Sequence, residues 1–176
     1  MVFCDLRGFT RFAGSTEPED VAEVLGAYYG VLGEQVRAFA ATVGTFAGDG
    51  IMAYFNDPVP CPDPPGRALD LACALRPPLD ALVERWRRQG WDLGYGVGVA
   101  YGYATLGTIG FEGRYDYTAV GTVVNLAARL CGEAAAGEVL VDERTFDAVR
   151  ERVSAERLAL DVKGYDLPVT AYRVRV

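Results

Sequence analysis

Thr42-Val43-Gly44-Thr45-Phe46-Ala47-Gly48-Asp49-Gly50-Ile51-Met52-Ala53-Tyr54-Phe55 is the stretch that decides the fold. Residues 42–48 and 51–55 are short β-branched or aromatic runs, with Gly48-Asp49-Gly50 between them. Asp-Gly flanked by such runs predicts a tight hairpin. Before it, residues 18–40 carry apolar groups at Val21, Val24, Leu25, Tyr28, Val31, Leu32, Val36 and Phe39, a helical spacing. Pro18 stands at the helix entry, where a missing N–H costs little. Residues 1–6 read as a strand whose carboxylate, Asp5, feeds a loop.

After the hairpin, residues 56–66 hold prolines at 58, 60, 62, 64 and 65 plus Gly66, and read as a loop. Residues 67–89 read as helical, with Leu69, Ala72, Cys73, Leu79, Leu82, Val83 and Trp86 on one side. Pro77 and Pro78 remove two backbone donors, which predicts a kink or two helices near Arg76. Residues 92–103 alternate Gly with Tyr, Val and Ala, a strand with close backbone approaches. Residues 104–118 read as a second strand and an extended excursion through Gly107, Gly110 and Gly113. A short helix over 121–131 and a strand over 138–141 follow, and Asp142 caps a helix over 143–150. Strands over 157–163 and 168–175, joined by a turn around Gly164, end the chain. The fold class is α+β: a ferredoxin-like βαββαβ core with a C-terminal βαββ extension, its central antiparallel sheet flanked by helices. The 176 residues are read as one domain spanning 1–176.

Composition narrows the function. No run of 18 or more apolar residues occurs, so neither a membrane span nor a membrane contact is expected. The opening Met1-Val2-Phe3-Cys4-Asp5 is not a signal peptide. It reads as mid-strand, so the chain is expected to be an excised domain or a naturally short form. The net charge of -7 argues against nucleic acid as a partner. Cys4, Cys61, Cys73 and Cys131 form no C-x-x-C pair, which fits free thiols in a reducing cytoplasm. With no histidine, neither a Ser-His-Asp nor a Cys-His mechanism is open. Acid–base chemistry must rest on carboxylates, metals or solvent.

Three groupings could carry chemistry. Asp5 ends the first strand, Gly8 lets the next loop turn tightly, and Asp49 sits at the hairpin tip. In a ferredoxin-like sheet that strand and hairpin are neighbours, so the two carboxylates can converge into a hard-oxygen divalent-metal site. Two ordinary turn aspartates are the alternative. Asn125 and Arg129, four residues apart on a predicted helix, share a face and could serve a phosphorus centre. A solvated polar stripe is the alternative, although Leu126, Ala127 and Ala128 argue for a mostly buried helix. Lys163, at a strand end, could reach a phosphate or simply be solvated.

Phe3-x-Asp5-Leu6-Arg7-Gly8-Phe9-Thr10 resembles the first metal motif of the class III adenylate and guanylate cyclases, and Phe46-Ala47-Gly48-Asp49-Gly50-x-Met52-Ala53-x-Phe55 the second. Asp116-Tyr117-Thr118-x-Val120-Gly121-x-x-Val124-Asn125-x-Ala127-Ala128-Arg129 is similar to the family's transition-state segment. Lys163-Gly164 followed by Pro168-Val169 resembles its C-terminal phosphate lysine. The four motifs, in the family's order, span nearly the whole chain.

The resemblance implies that Asp5, Asp49 and the Leu6 carbonyl hold two divalent ions, Mg²⁺ or Mn²⁺. Gly8, Phe9 and Thr10 would lie against the substrate, Asn125 would orient the ribose, and Arg129 would stabilise the pentacovalent phosphorus. Lys163 would bind the β- or γ-phosphate. The implied reaction turns ATP into a cyclic nucleotide and pyrophosphate. The implied assembly is a head-to-tail homodimer, the aspartates of one chain facing the Asn, Arg and Lys of the other. An arm near 107–117, with Phe111, Tyr115 and Tyr117, would meet the partner; an ordinary hairpin is the alternative. Such domains often follow a sensor domain, which these residues lack.

Two positions bear on the base. Thr45 stands where adenylate cyclases usually carry Lys and guanylate cyclases Glu. Thr118 matches a common bacterial adenylate-cyclase pattern, and its hydroxyl can accept from the adenine amino group. Thr122 and Ala100-Tyr101-Gly102 also depart from the usual pattern. The leading reading is an adenylate cyclase. A guanylate or relaxed-specificity cyclase, and an inactive regulatory or dimerisation domain, are the alternatives; a diguanylate cyclase would carry a signature absent here.

Overall fold

The computed structural model describes residues 1–175, without the side chains of Ala47 and Arg114. The elements are β1 (Val2–Arg7), α1 (Phe9–Ala13), α2 (Pro18–Ala38), β2 (Thr42–Ala47), β3 (Gly50–Tyr54), α3 (Pro64–Arg88), β4 (Gly94–Val99), β5 (Thr105–Phe111), β6 (Arg114–Val120), α4 (Thr122–Glu133), β7 (Glu138–Asp142), α5 (Glu143–Val149), β8 (Ser154–Leu160) and β9 (Val169–Arg175). Seven strands form one sheet in the order β2-β3-β1-β4-β7-β9-β8, and β5 and β6 pair with each other alone. The first four strands, β2-β3-β1-β4, are the ferredoxin-like core, antiparallel throughout. The extension joins it through β4 and β7, a parallel pair.

Alternation along β1 separates two layers. Val2, Cys4 and Leu6 are buried and join Val24, Tyr28 and Leu32 of α2 and Leu71, Leu75 and Leu79 of α3 in the main core. Phe3, Asp5 and Arg7 alternate to the other face, where α4 packs. On β4 the same period puts Tyr95, Val97 and Val99 into the main core and turns Gly94, Gly96 and Gly98 to the other face, Gly98 against α4 and Gly94 against Ala136 beyond it. A Cβ on Gly98 would stand 2.2 Å from the Cys131 nitrogen and 2.3 Å from the Ala127 carbonyl oxygen. The helix backbone therefore rests directly on the strand, a seat no side chain can share.

Several expected boundaries shift. The Pro-rich loop ends at Asp63, not at 66: its carboxylate accepts from the Gly66 N–H at 3.0 Å, and Pro64 and Pro65 fill the first positions of α3, whose N–H groups would have no intrahelical partner. The chain does not divide into two helices near Arg76: α3 runs as one helix through Pro77 and Pro78. Its buried Leu71, Ala72, Leu75 and Leu79 lie on both sides of the prolines. Continuing the helix keeps the three leucines in the core at about 2 kcal/mol each, which offsets the two lost hydrogen bonds. The strand expected over 92–103 is shorter, Gly94–Val99, and the excursion over 104–118 is a regular hairpin, β5–β6, ending at Val120. The strand read over 157–163 lies over 154–160, so Lys163 sits on a turn beyond it. Asp142 caps α5 as read, accepting from the Thr145 N–H at 3.0 Å.

Candidate active site

The site begins with the register between β1 and β3, which sets Asp5 opposite Gly50. Asp49, one residue earlier at the hairpin turn, is thereby brought beside Asp5. Partial burial, then the Asp49 carboxylate, pushes the Asp5 carboxyl up from its ordinary 3.8 to about 6, with Arg7 opposing. Two acidic groups this close repel each other unless a proton or a cation lies between them. At Gly8 the chain turns with φ at +79°, and a Cβ there would stand 2.6 Å from the Asp92 carbonyl oxygen, so only glycine fits. The turn sends Phe9 and Thr10 into α1 along the same opening. Asp5, Leu6, Gly8, Phe9, Thr10, Arg11 and Asp49 line a cleft of about 550 Å³.

Two residues at this cleft carry no signal in the sequence. Tyr29 of α2 donates its hydroxyl hydrogen to the Gly48 carbonyl, and its ring meets Phe46 edge-on at 5.2 Å. That contact ties the hairpin tip to a helix, but in the sequence Tyr29 is only an aromatic next to the helical stripe. Arg11 pairs with Asp92 at 2.5 Å across 81 residues of chain; only its adjacency to the first motif could have drawn attention to it.

The other candidates lie elsewhere. Asn125 and Arg129 are exposed on α4, whose opposite face buries Val123, Ala127, Leu130 and Cys131. Lys163 is exposed on its turn. Among the described residues neither Arg129 nor Lys163 has a hydrogen-bond or ion-pair partner. Thr45 is exposed on β2, its hydroxyl donating to the Phe46 carbonyl at 3.3 Å, and Thr118 is half-buried on β6 opposite Gly107. Strands β2 and β6 are in contact, so these two threonines stand on adjoining strands. None of Asn125, Arg129, Lys163, Thr45 and Thr118 lines the acidic cleft. A more enclosed cavity of about 340 Å³, between Met1, Tyr54, Val99, Tyr101 and Leu106, holds neither aspartate. Its lining has no carboxylate pair, so the chemistry is assigned to the cleft.

The donor set suits a hard divalent cation. It offers two carboxylates and a backbone carbonyl, with no thiolate or imidazole. Among the described residues no group of three or more His, Cys, Asp or Glu could hold a metal, so cations here would draw their remaining ligands from substrate and water. No helix among those residues is long and apolar enough to cross a membrane.

The profile of the adenylate and guanylate cyclase catalytic domain matches residues 1–175. An adenylate cyclase of Anabaena cylindrica is 28% identical over 190 residues, covering 99% of this chain and 36% of the relative. Adenylate cyclase 1 of Rhizobium meliloti is 33% identical over 132 residues, 74% of this chain and 20% of the relative. The chain thus spans about a third or less of these relatives. The crystal structure of the adenylyl cyclase CyaB from P. aeruginosa superposes with a TM-score of 0.93 at 31% identity, covering 99% of this chain and 92% of that one. A solved guanylyl cyclase superposes with a TM-score of 0.90 at 30% identity, covering 98% and 89%.

Proposed function

Because this chain belongs to the family of adenylate and guanylate cyclase catalytic domains, we propose that it converts ATP to cyclic AMP and pyrophosphate in a site shared between two copies. One observation carries the reading. The acidic cleft of a single chain contains Asp5 and Asp49 but no phosphate-binding side chain beyond Arg11, while Arg129 and Lys163 stand exposed and unpaired away from it. Each chain holds two unlike halves, and a head-to-tail pair would join each acidic half to a cationic one.

Asp5, Asp49 and the Leu6 carbonyl would hold two divalent ions, which supply activation of the ribose hydroxyl and neutralisation of the leaving pyrophosphate. The 3′-oxygen attacks the α-phosphorus, the new O–P bond forms as the bond to pyrophosphate breaks, and the hydroxyl proton leaves to solvent. Backbone N–H groups at Phe9 and Thr10 face the terminal phosphates. Asn125 of the other chain hydrogen-bonds the ribose and holds the 3′-oxygen in line. Arg129 donates to the α-phosphate oxygens, where charge grows in the transition state. Lys163 binds the β- or γ-phosphate. Thr118 accepts from the adenine amino group. The four free thiols suit a reducing cytoplasm, where ATP is abundant.

Relaxed base choice is the second reading. Thr45 is short and uncharged, and its hydroxyl is directed at its own strand's Phe46 carbonyl. One missing hydrogen bond to the base is worth about 1 kcal/mol, roughly five-fold in discrimination. The test supplies Mn²⁺ or Mg²⁺ with ATP or GTP and measures both cyclic products, with Asp49→Ala as control. More cyclic AMP than cyclic GMP, lost in the control, is expected. No product from either nucleotide at high protein concentration would overturn the enzyme reading.

A further inference from the structure

Arg7 lies two residues beyond Asp5 on the same strand and face, yet its side chain is committed to α4. Its Nε donates to the Ala134 carbonyl at 2.9 Å, and an Nη donates to the Cys131 carbonyl. The other Nη donates to the Leu6 carbonyl at 3.5 Å and stands 3.7 Å from an Asp5 oxygen. The contacts to the helix are the shorter ones and set where the guanidinium lies. They fall at the C-terminal end of α4, the negative end of the helix dipole, where the Cys131 carbonyl also accepts from the Ala134 N–H at 3.2 Å. The last turn of α4 has no basic residue of its own. The strand supplies the missing cation, and β4 leaves room for it: a Cβ on Gly96 would stand 2.3 Å from an Nη and 2.8 Å from Cζ of Arg7.

We propose that Arg7 is a positioning residue for α4, and that through its shorter contacts it serves chiefly the active site to which its own chain gives Asn125 and Arg129. Arg7 grips the helix two residues beyond Arg129, so the direction of that guanidinium depends on where the helix end is held. The inference rests on the shared-site reading proposed above.

Mixing Asp49→Ala chains with Asn125→Ala chains gives a heterodimer with one intact site. The Asn125→Ala chain supplies its aspartates and the Asp49→Ala chain supplies its α4; the homodimers are inactive. Arg7→Lys keeps the charge but loses the two-pronged fork, and it is placed in one chain or the other. In the chain supplying α4 it is expected to lower kcat about ten-fold with KM for ATP unchanged. In the chain supplying the aspartates, where Arg7 has only its longer contacts to Leu6 and Asp5, it is expected to lower kcat less, by about three-fold. Gly96→Ala, which keeps Arg7 but fills the space its guanidinium occupies, is expected to reproduce the asymmetry. Equal losses in both placements, the pattern of a merely structural defect, overturn the proposal, as does a loss confined to the aspartate-supplying chain. Should the unsubstituted protein make no cyclic nucleotide, the cyclase reading falls separately. The grip on α4 is then judged by amide hydrogen exchange over residues 130–134, expected to quicken about ten-fold in Arg7→Lys; unchanged exchange overturns it.

Discussion

The acidic cleft and the exposed face of α4 are built by opposite means. The cleft is made by turns: Gly8 reverses the chain after β1, the β2–β3 hairpin presents Asp49, and ladder register sets Asp5 beside it. Its geometry is local, and its acidic pair is poorly compensated, as the raised Asp5 titration shows. The α4 face is made by packing. Asn125 and Arg129 are placed by how closely the buried side of their helix approaches Gly98, a residue far away in sequence. Damage to the cleft should therefore cost chemistry and spare the fold, whereas damage beneath α4 should cost both.

The largest expected effect sharpens that contrast from the α4 side. Arg129→Ala removes an exposed, unpaired side chain, so kcat should fall about 10²–10³-fold while the melting temperature stays within about a degree. A steady-state assay and a thermal melt check this, and a large drop in melting temperature would break the comparison. Gly98→Ala should act the other way, losing about 3 kcal/mol in a denaturant titration because its methyl meets helix backbone, which cannot step aside as a side chain can.

Next comes the pH dependence of the cleft. The folded Asp5 carboxyl titrates near 6, above its ordinary 3.8, so folding favours its protonated form. The metal-free protein should gain this contribution fully below about pH 3.8 and lose it as pH rises through 6. Asp49→Asn should flatten that slope in melts taken between those limits. A bound cation must displace the same proton, so the Mn²⁺ concentration giving half-maximal activity should climb as pH falls below about 6. A half-saturation independent of pH would separate Asp5 from metal binding. The smallest effect belongs to Tyr29→Phe, which keeps the ring on Phe46 and drops only the hydroxyl bond to Gly48. About 1 kcal/mol of stability should go, with kcat reduced only several-fold.

The same contrast explains what the sequence made legible. Asp5, Asp49 and the hairpin could be read because Gly-Asp-Gly and Gly8 dictate their conformations within a few residues. The alternation of β1 and β4 gave the sheet. Pro77 and Pro78 do not divide the helix in two, because the burial of Leu71, Leu75 and Leu79 favours continuing it against the local preference. Pro64 and Pro65 misled because a proline cluster looks the same in a loop as in a helical first turn, until the Asp63 cap is seen. The Arg7 contacts span 124 and 127 residues, and nothing near Arg7 announces them.

A helix seated on side chains inherits every change in their volumes: a methylene gained or lost beneath it lifts or lowers everything it carries. At Gly98 the spacer under α4 is main chain, whose thickness sequence change cannot alter. Substitutions elsewhere in the core can then accumulate with little change in the height of Asn125 and Arg129 above the sheet at that point, and the position under strictest constraint is one that carries no functional group at all.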